Sequence, residues 1–128
     1  MTDKNMSLWR NFTYAWSGLC HAFRTERNVK IHGVLALLVV LAGYQFDIEM
    51  GKWAVVILCI GMMLGTEILN TAIEYLGDAV SDGAYNETVR RAKDMSAAAC
   101  LVVALMSVVI GWLVFGPVLL GLLSQSAN

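Results

Sequence analysis

A chain of 128 residues that is 58% hydrophobic and only 15% charged departs from an average soluble domain, in which about 25% of residues carry charge. Its formal net charge of −1 and the lack of any basic stripe argue against nucleic acid as a partner. The charges cluster and leave uncharged runs over 31–46, 53–66 and 95–128, so the chain reads as an all-α integral membrane protein, a single domain over 1–128.

The first stretch is polar and aromatic and shows no cleavable signal, so the N-terminus is expected to be retained. Within it Trp9, Phe12, Trp16, Leu19 and Phe23 recur at helical steps while Arg10, Asn11, Thr13, Ser17, His21 and Arg24 fill the opposite side. That pattern predicts an amphipathic helix over about residues 7–26, with Ser7 as its N-cap. It suits the cytoplasmic headgroup layer, and it suits packing on a helical bundle equally well.

Three transmembrane helices are predicted after it, over about 29–47, 51–77 and 94–121. The second continues into water to about residue 82. The 45–51 connection is too short for anything but a tight hairpin, which makes the first two spans antiparallel neighbours. A soluble all-α bundle with a buried central helix is the alternative, and the long uncharged final segment argues against it.

Lys4, Arg10, Arg24, Arg27 and Lys30 precede the first span and Arg90, Arg91 and Lys93 precede the third, against Lys52 alone in the other loop. By the positive-inside rule the N-terminus and the 82–93 loop are cytoplasmic, while the 47–52 turn and the C-terminal tail are outside, in a multi-pass protein of the cell inner or plasma membrane. Cys20, Cys59 and Cys100 are isolated, lack metal-ligand spacing and read as small apolar fillers. In the third span Ser96, Ala97, Ala98 and Ala99 would let another helix approach closely, and Gly111, Gly116 and Pro117 are expected to bend its outer half.

The second span carries the chemistry. At about 100° per residue, Glu67, Asn70 and Glu74 fall within roughly 60° of one another on a helix, and Asp78 returns to the same face. Counted from Trp53 at the outer interface, Glu67 lies roughly 21 Å down and Glu74 roughly 32 Å, so the first sits in the inner leaflet and the second at its cytoplasmic edge. An intramembrane carboxylate costs about 2.5 to 3.5 kcal/mol by insertion scales, so it calls for a function or a polar knot between helices.

Glu26, Lys93 and Asp94 reach the same cytoplasmic level. Several carboxylates with few cations make a poor salt-bridge network but a reasonable magnesium site, completed by water and nucleotide phosphates. Lys93 is then placed to meet a transferring phosphoryl group. No P-loop and no kinase catalytic-loop signature is present.

The motifs Glu67-Ile-Leu-Asn-Thr-Ala-Ile-Glu74, Ala92-Lys-Asp-Met95, Tyr14-Ala-Trp-Ser-Gly18, Glu26-Arg-Asn28 and Ile31-His32 resemble the small bacterial membrane kinases of diacylglycerol and undecaprenol. The likeness runs in the right order over almost the whole chain. It implies a homotrimer of three-span subunits that transfers the γ-phosphoryl group of ATP to a lipid hydroxyl with Mg2+. It also implies roles: Glu67 as proton acceptor beside the lipid hydroxyl, with Asn70 close to it; Glu26 and Glu74 as magnesium-bearing and nucleotide-binding carboxylates; Tyr14, Lys93 and Asp94 as further ATP contacts. The stretch 82–90 does not follow the family pattern, and Tyr85 and Asn86 are the candidate nucleotide contacts there. Glu26-Arg-Asn28 with Ile31-His32 is similar to the Gram-positive, undecaprenol-phosphorylating type, with diacylglycerol as the alternative substrate.

His32, at the cytoplasmic start of the first span, reads as a hydrogen-bonded interface residue or as a base, and Asp78 as a nucleotide contact or an ordinary wet charge. Two other classes of function fit the glutamates. A small proton or cation transporter would not need Lys93 and Asp94, and a non-catalytic scaffold would use Glu67 only for assembly.

Overall fold

The computed structural model describes residues 4–126, with side chains from Ser7 to Ser124; residues 1–3 and 127–128, the last of the expected outer tail, lie outside the described residues. Four helices follow one another: α1 Lys4–Thr25, α2 Arg27–Gln45, α3 Met50–Ser81 and α4 Glu87–Ser126. α2, α3 and α4 are long and apolar enough to cross a membrane. The expected spans fall on these three helices, and α3 runs without a break through its wet extension. Ser7 does not cap the first helix, which starts at Lys4 and holds Ser7 in its interior.

A single residue, Glu26, separates α1 from α2, with extended backbone at φ −87 and ψ 121. Its amide still donates to the Ala22 carbonyl at 2.9 Å and its carbonyl accepts from Lys30, so the helical bonding nearly bridges the joint. Apolar packing holds the elbow: Ala22 and Val29 are buried, and the Phe23 ring lies where a Cβ on Gly33 would stand, 2.8 Å from Cε1. Towards its start α1 is uncovered, and Trp9, Phe12 and Trp16 are exposed.

The α2–α3 hairpin closes with a Schellman motif. Ile48 N–H donates to the Gly43 carbonyl at 3.2 Å and Asp47 N–H to that of Tyr44 at 3.3 Å, with Asp47 left-handed at φ 45. Gly43 is required by close approach, because the Trp53 ring lies 2.7 Å from where its Cβ would be. Ile48, Val56 and Val114 form the buried core, with Phe46, Trp53 and Phe115 around them. The hairpin half of the bundle is thus held by apolar contact, and the acidic face of α3 falls in the opposite half.

α4 begins seven residues before its expected start, for a local reason. The Asn86 side-chain oxygen accepts from the amides of Thr88 at 2.9 Å and Val89 at 3.2 Å, an N-cap in a stretch whose turn residues signal a loop. The helix continues through Pro117.

Candidate functional site

Two apolar helices, α3 and α4, cross at the level where α3 carries its acidic face, and the contact is polar. Glu67 is 4% and Asn70 8% exposed, and both are turned into the chain's own α3/α4 interface. The Ser96 hydroxyl of α4 donates to the Asn70 carboxamide oxygen at 2.6 Å, and the Asn70 amide donates to the Glu74 carboxylate at 3.0 Å. Four residues of helix separate the last two, the spacing at which side chains meet. Glu74 itself is exposed. The Cys100 thiol interacts with Glu67, which gives one of the expected filler cysteines a polar neighbour.

A second link joins the same helices one to two turns nearer the α3–α4 connection. The Lys93 ammonium pairs with Asp78, and its stem crosses α3 directly over Gly77, where an added Cβ would stand 2.8 Å from Lys93 Cε and 2.9 Å from Val89 Cγ1. The glycine is the groove through which the lysine reaches its partner.

The third piece comes from the α1–α2 elbow. Glu26 accepts hydrogen bonds from the Tyr75 phenol and from the Thr25 hydroxyl at 2.9 Å. The Tyr75 bond first, and the Thr25 bond second, hold its carboxyl below the usual carboxylate value of 4.5. Tyr75 is flanked by the His21 ring, edge-on at 6.4 Å, and feels both Glu26 and Glu74.

The remaining predicted residues are placed apart from this cluster. Asp94 pairs with Arg90 at 2.7 Å, and Arg90 and Arg91 share Glu87, to which the Tyr85 hydroxyl also donates. Asn86 spends its oxygen on the α4 cap. Tyr14 is 69% exposed and, twelve residues before Glu26 on a helix, lies about 18 Å from it along the axis. His32 lines one end of an apolar cleft of about 390 Å3 between α2, α3 and α4 that runs past Met63 and Ala104 to Phe115.

The donor set fits a hard divalent cation in a limited way. No group of three or more His, Cys, Asp and Glu side chains converges among the described residues. Two carboxylates, Glu26 and Glu74, flank Tyr75, which is the number magnesium takes from a protein when nucleotide and water supply the rest. Tyr75, Thr25, Ser96 and Gly77 are the members that sequence reasoning missed. Ser96 alone left a signal, as a small polar residue expected to allow close helix approach.

Residues 13–115 match the family model described as prokaryotic diacylglycerol kinase. The chain is 36% identical over 109 residues to the undecaprenol kinase of Bacillus subtilis (strain 168), covering 85% of this chain and 88% of that protein. It is 35% identical over 113 residues to a diacylglycerol kinase of Synechocystis, covering 88% of this chain and 65% of that one. A match of 35% over 96 residues, 75% of this chain and 78% of the relative, joins it to the diacylglycerol kinase of Escherichia coli K12.

Proposed function

The chain belongs to the prokaryotic diacylglycerol kinase family and is a multi-pass membrane lipid kinase, and from that premise we propose that it transfers the γ-phosphoryl group of ATP to undecaprenol. The observation that carries the site assignment is the half-buried Ser96–Asn70–Glu74 chain of hydrogen bonds beside the buried Glu67. A satisfied polar network in an apolar interface holds its members in one geometry. That is what a reaction resting on positioning requires.

In the proposed reaction the lipid hydroxyl loses its proton to the Glu67 carboxylate as its oxygen bonds to the γ-phosphorus, and the bond from that phosphorus to the β,γ-bridging oxygen breaks, leaving ADP. Asn70 fixes the rotamer of Glu74. Lys93, aimed by Asp78 across Gly77, places a positive charge where the transferring phosphoryl oxygens gather charge. Glu26 and Glu74 would hold Mg2+, which when bound neutralises the nucleotide phosphates. Tyr14, Asp94, Asp78, Tyr85 and Asn86 are proposed as nucleotide contacts on the cytoplasmic side. The apolar cleft beginning one turn outward of Glu67, at Met63 and Leu64, supports a lipid acceptor with a long hydrocarbon chain.

α1 is proposed to lie on the cytoplasmic face of the membrane, its exposed Trp9, Phe12 and Trp16 entering the headgroup layer. With the N-terminus and the 82–86 turn cytoplasmic by the distribution of Lys and Arg, ATP arrives from one side of the site and lipid from the other. A homotrimer is proposed as the working assembly, since a three-span subunit offers little surface to enclose two substrates.

The test is phosphate transfer from ATP to undecaprenol and to diacylglycerol, measured side by side on reconstituted protein. Undecaprenol is expected to be the better acceptor, and Glu67→Gln and Glu74→Gln are each expected to abolish transfer. Wild-type turnover in either variant would sink the assigned roles, and a preference for diacylglycerol would replace the substrate while leaving the site standing.

A further inference from the structure

Glu26 is the one residue between two helices, and a carboxylate at the N-cap of α2 has an obvious use in capping it. It does not take that use: the cap makes no side-chain hydrogen bond. The side chain is turned to α3, where its Oε1 accepts both the Tyr75 phenol and the Thr25 hydroxyl. Among the described residues no hydrogen bond falls on Oε2. A half-buried glutamate at a helix joint otherwise samples several rotamers, and two donors on a single oxygen select one of them.

Tyr75 is well placed to make that selection. It follows Glu74 in sequence, so the turn of α3 that carries one acidic residue also carries the group that holds the other. Its ring is steadied by His21 of α1, and the packed elbow of Ala22, Phe23, Val29 and Gly33 brings Glu26 within reach. Groups that hydrogen-bond to metal-ligating side chains set the orientation of the ligand and affect affinity nearly as strongly as the ligands do.

We infer that Tyr75 is a positioning residue for Glu26, its phenol engaging one carboxylate oxygen so that the other is presented as a ligand for a divalent cation. The inference rests on the proposed reading of Glu26 as a metal-bearing carboxylate. Tyr75 acts through Glu26, with Thr25 as the lesser partner.

The test uses the full chain in detergent micelles, with Mn2+ binding followed by electron paramagnetic resonance in the presence of a non-hydrolysable ATP analogue. Tyr75→Phe keeps the ring against His21 and removes only the hydroxyl; its Mn2+ dissociation constant is expected to rise roughly tenfold. Thr25→Val should raise it in the same direction by less, and it carries the test should Tyr75→Phe fail to fold. In the lipid kinase assay the loss should appear in the Mg2+ concentration needed for half-maximal rate more than in the rate at saturating Mg2+. Wild-type Mn2+ affinity in the hydroxyl-deleted variants, with only a lower unfolding temperature, would overturn the inference and leave Tyr75 a fastener of α1 to α3. Equal Mn2+ binding by wild type and Glu26→Gln would instead overturn the metal-bearing role of Glu26 beneath it.

Discussion

Ser96 on α4 donates its hydroxyl to the carboxamide oxygen of Asn70 on α3 at 2.6 Å, and together with the Glu74 carboxylate it sets which way the amide group faces. With the oxygen committed to Ser96, the Asn70 nitrogen is left to Glu74. A serine from one helix thereby orients a carboxylate on another through an asparagine between them.

Ser96→Ala leaves the Asn70 oxygen buried without this donor. The expected cost is about 1 kcal/mol, within the range measured for hydrogen bonds between membrane helices, read as a lower unfolding temperature in detergent. With the Glu74 bond alone left to hold the carboxamide, phosphate transfer should fall as well. An unchanged rate beside a lower unfolding temperature would show that Asn70 is oriented by Glu74 alone.

Gly77→Ala tests the groove that Lys93 crosses. The new methyl would sit 2.8 Å from Lys93 Cε and 2.9 Å from Val89 Cγ1. The lysine stem can swing aside but the branched valine on the helix is stiffer, so a destabilisation of about 1 to 3 kcal/mol is expected, as for other overpacked sites. Kinase activity should drop because the ammonium leaves Asp78. In a Lys93→Ala background the same methyl should cost measurably less stability, and the difference between the two backgrounds measures the crossing directly.

How much of this was legible follows the periodicity of the signal. Three spans, the hairpin and the shared face of Glu67, Asn70 and Glu74 repeat along one helix, so counting residues finds them. What covers that face does not repeat: which helix packs on Glu67 and Asn70 depends on the rotation of α3 about its axis, and the structure turns them onto α4. The start of α4 was hidden because Asn86 looks alike in a turn and in a cap, and only the amides of Thr88 and Val89 tell the two apart. The Glu26–Tyr75 contact joins residues 49 apart, a separation at which no spacing rule operates.

The hairpin offers opposite outcomes at two neighbouring positions. Asp47 occupies the left-handed C′ position of the Schellman motif at φ 45, where a side chain costs about 1 kcal/mol relative to glycine. Asp47→Gly should therefore raise the unfolding temperature slightly. Gly43→Ala should lower it, because its methyl would meet the Trp53 ring at 2.7 Å. Neither change should shift the Mg2+ dependence of the kinase reaction, since both lie at the α2–α3 hairpin, away from Glu26 and Glu74.

Acidification gives the last test, and its sign follows from Glu26. The Tyr75 and Thr25 hydrogen bonds favour the charged carboxylate and lower its folded-state value below the ordinary 4.5. A group lowered on folding contributes stability above its unfolded value and loses that contribution as the pH falls through the folded one. The α1–α3 contact should therefore persist on acidification from neutrality to about the ordinary carboxylate value and loosen only below it. Carbon-13 shifts of the Glu26 carboxyl group in labelled protein would follow this titration. In Tyr75→Phe, with the larger cause of the lowering gone, the midpoint should move up toward 4.5; a midpoint that stays where it is in wild type would show that the phenol does not hold the carboxylate.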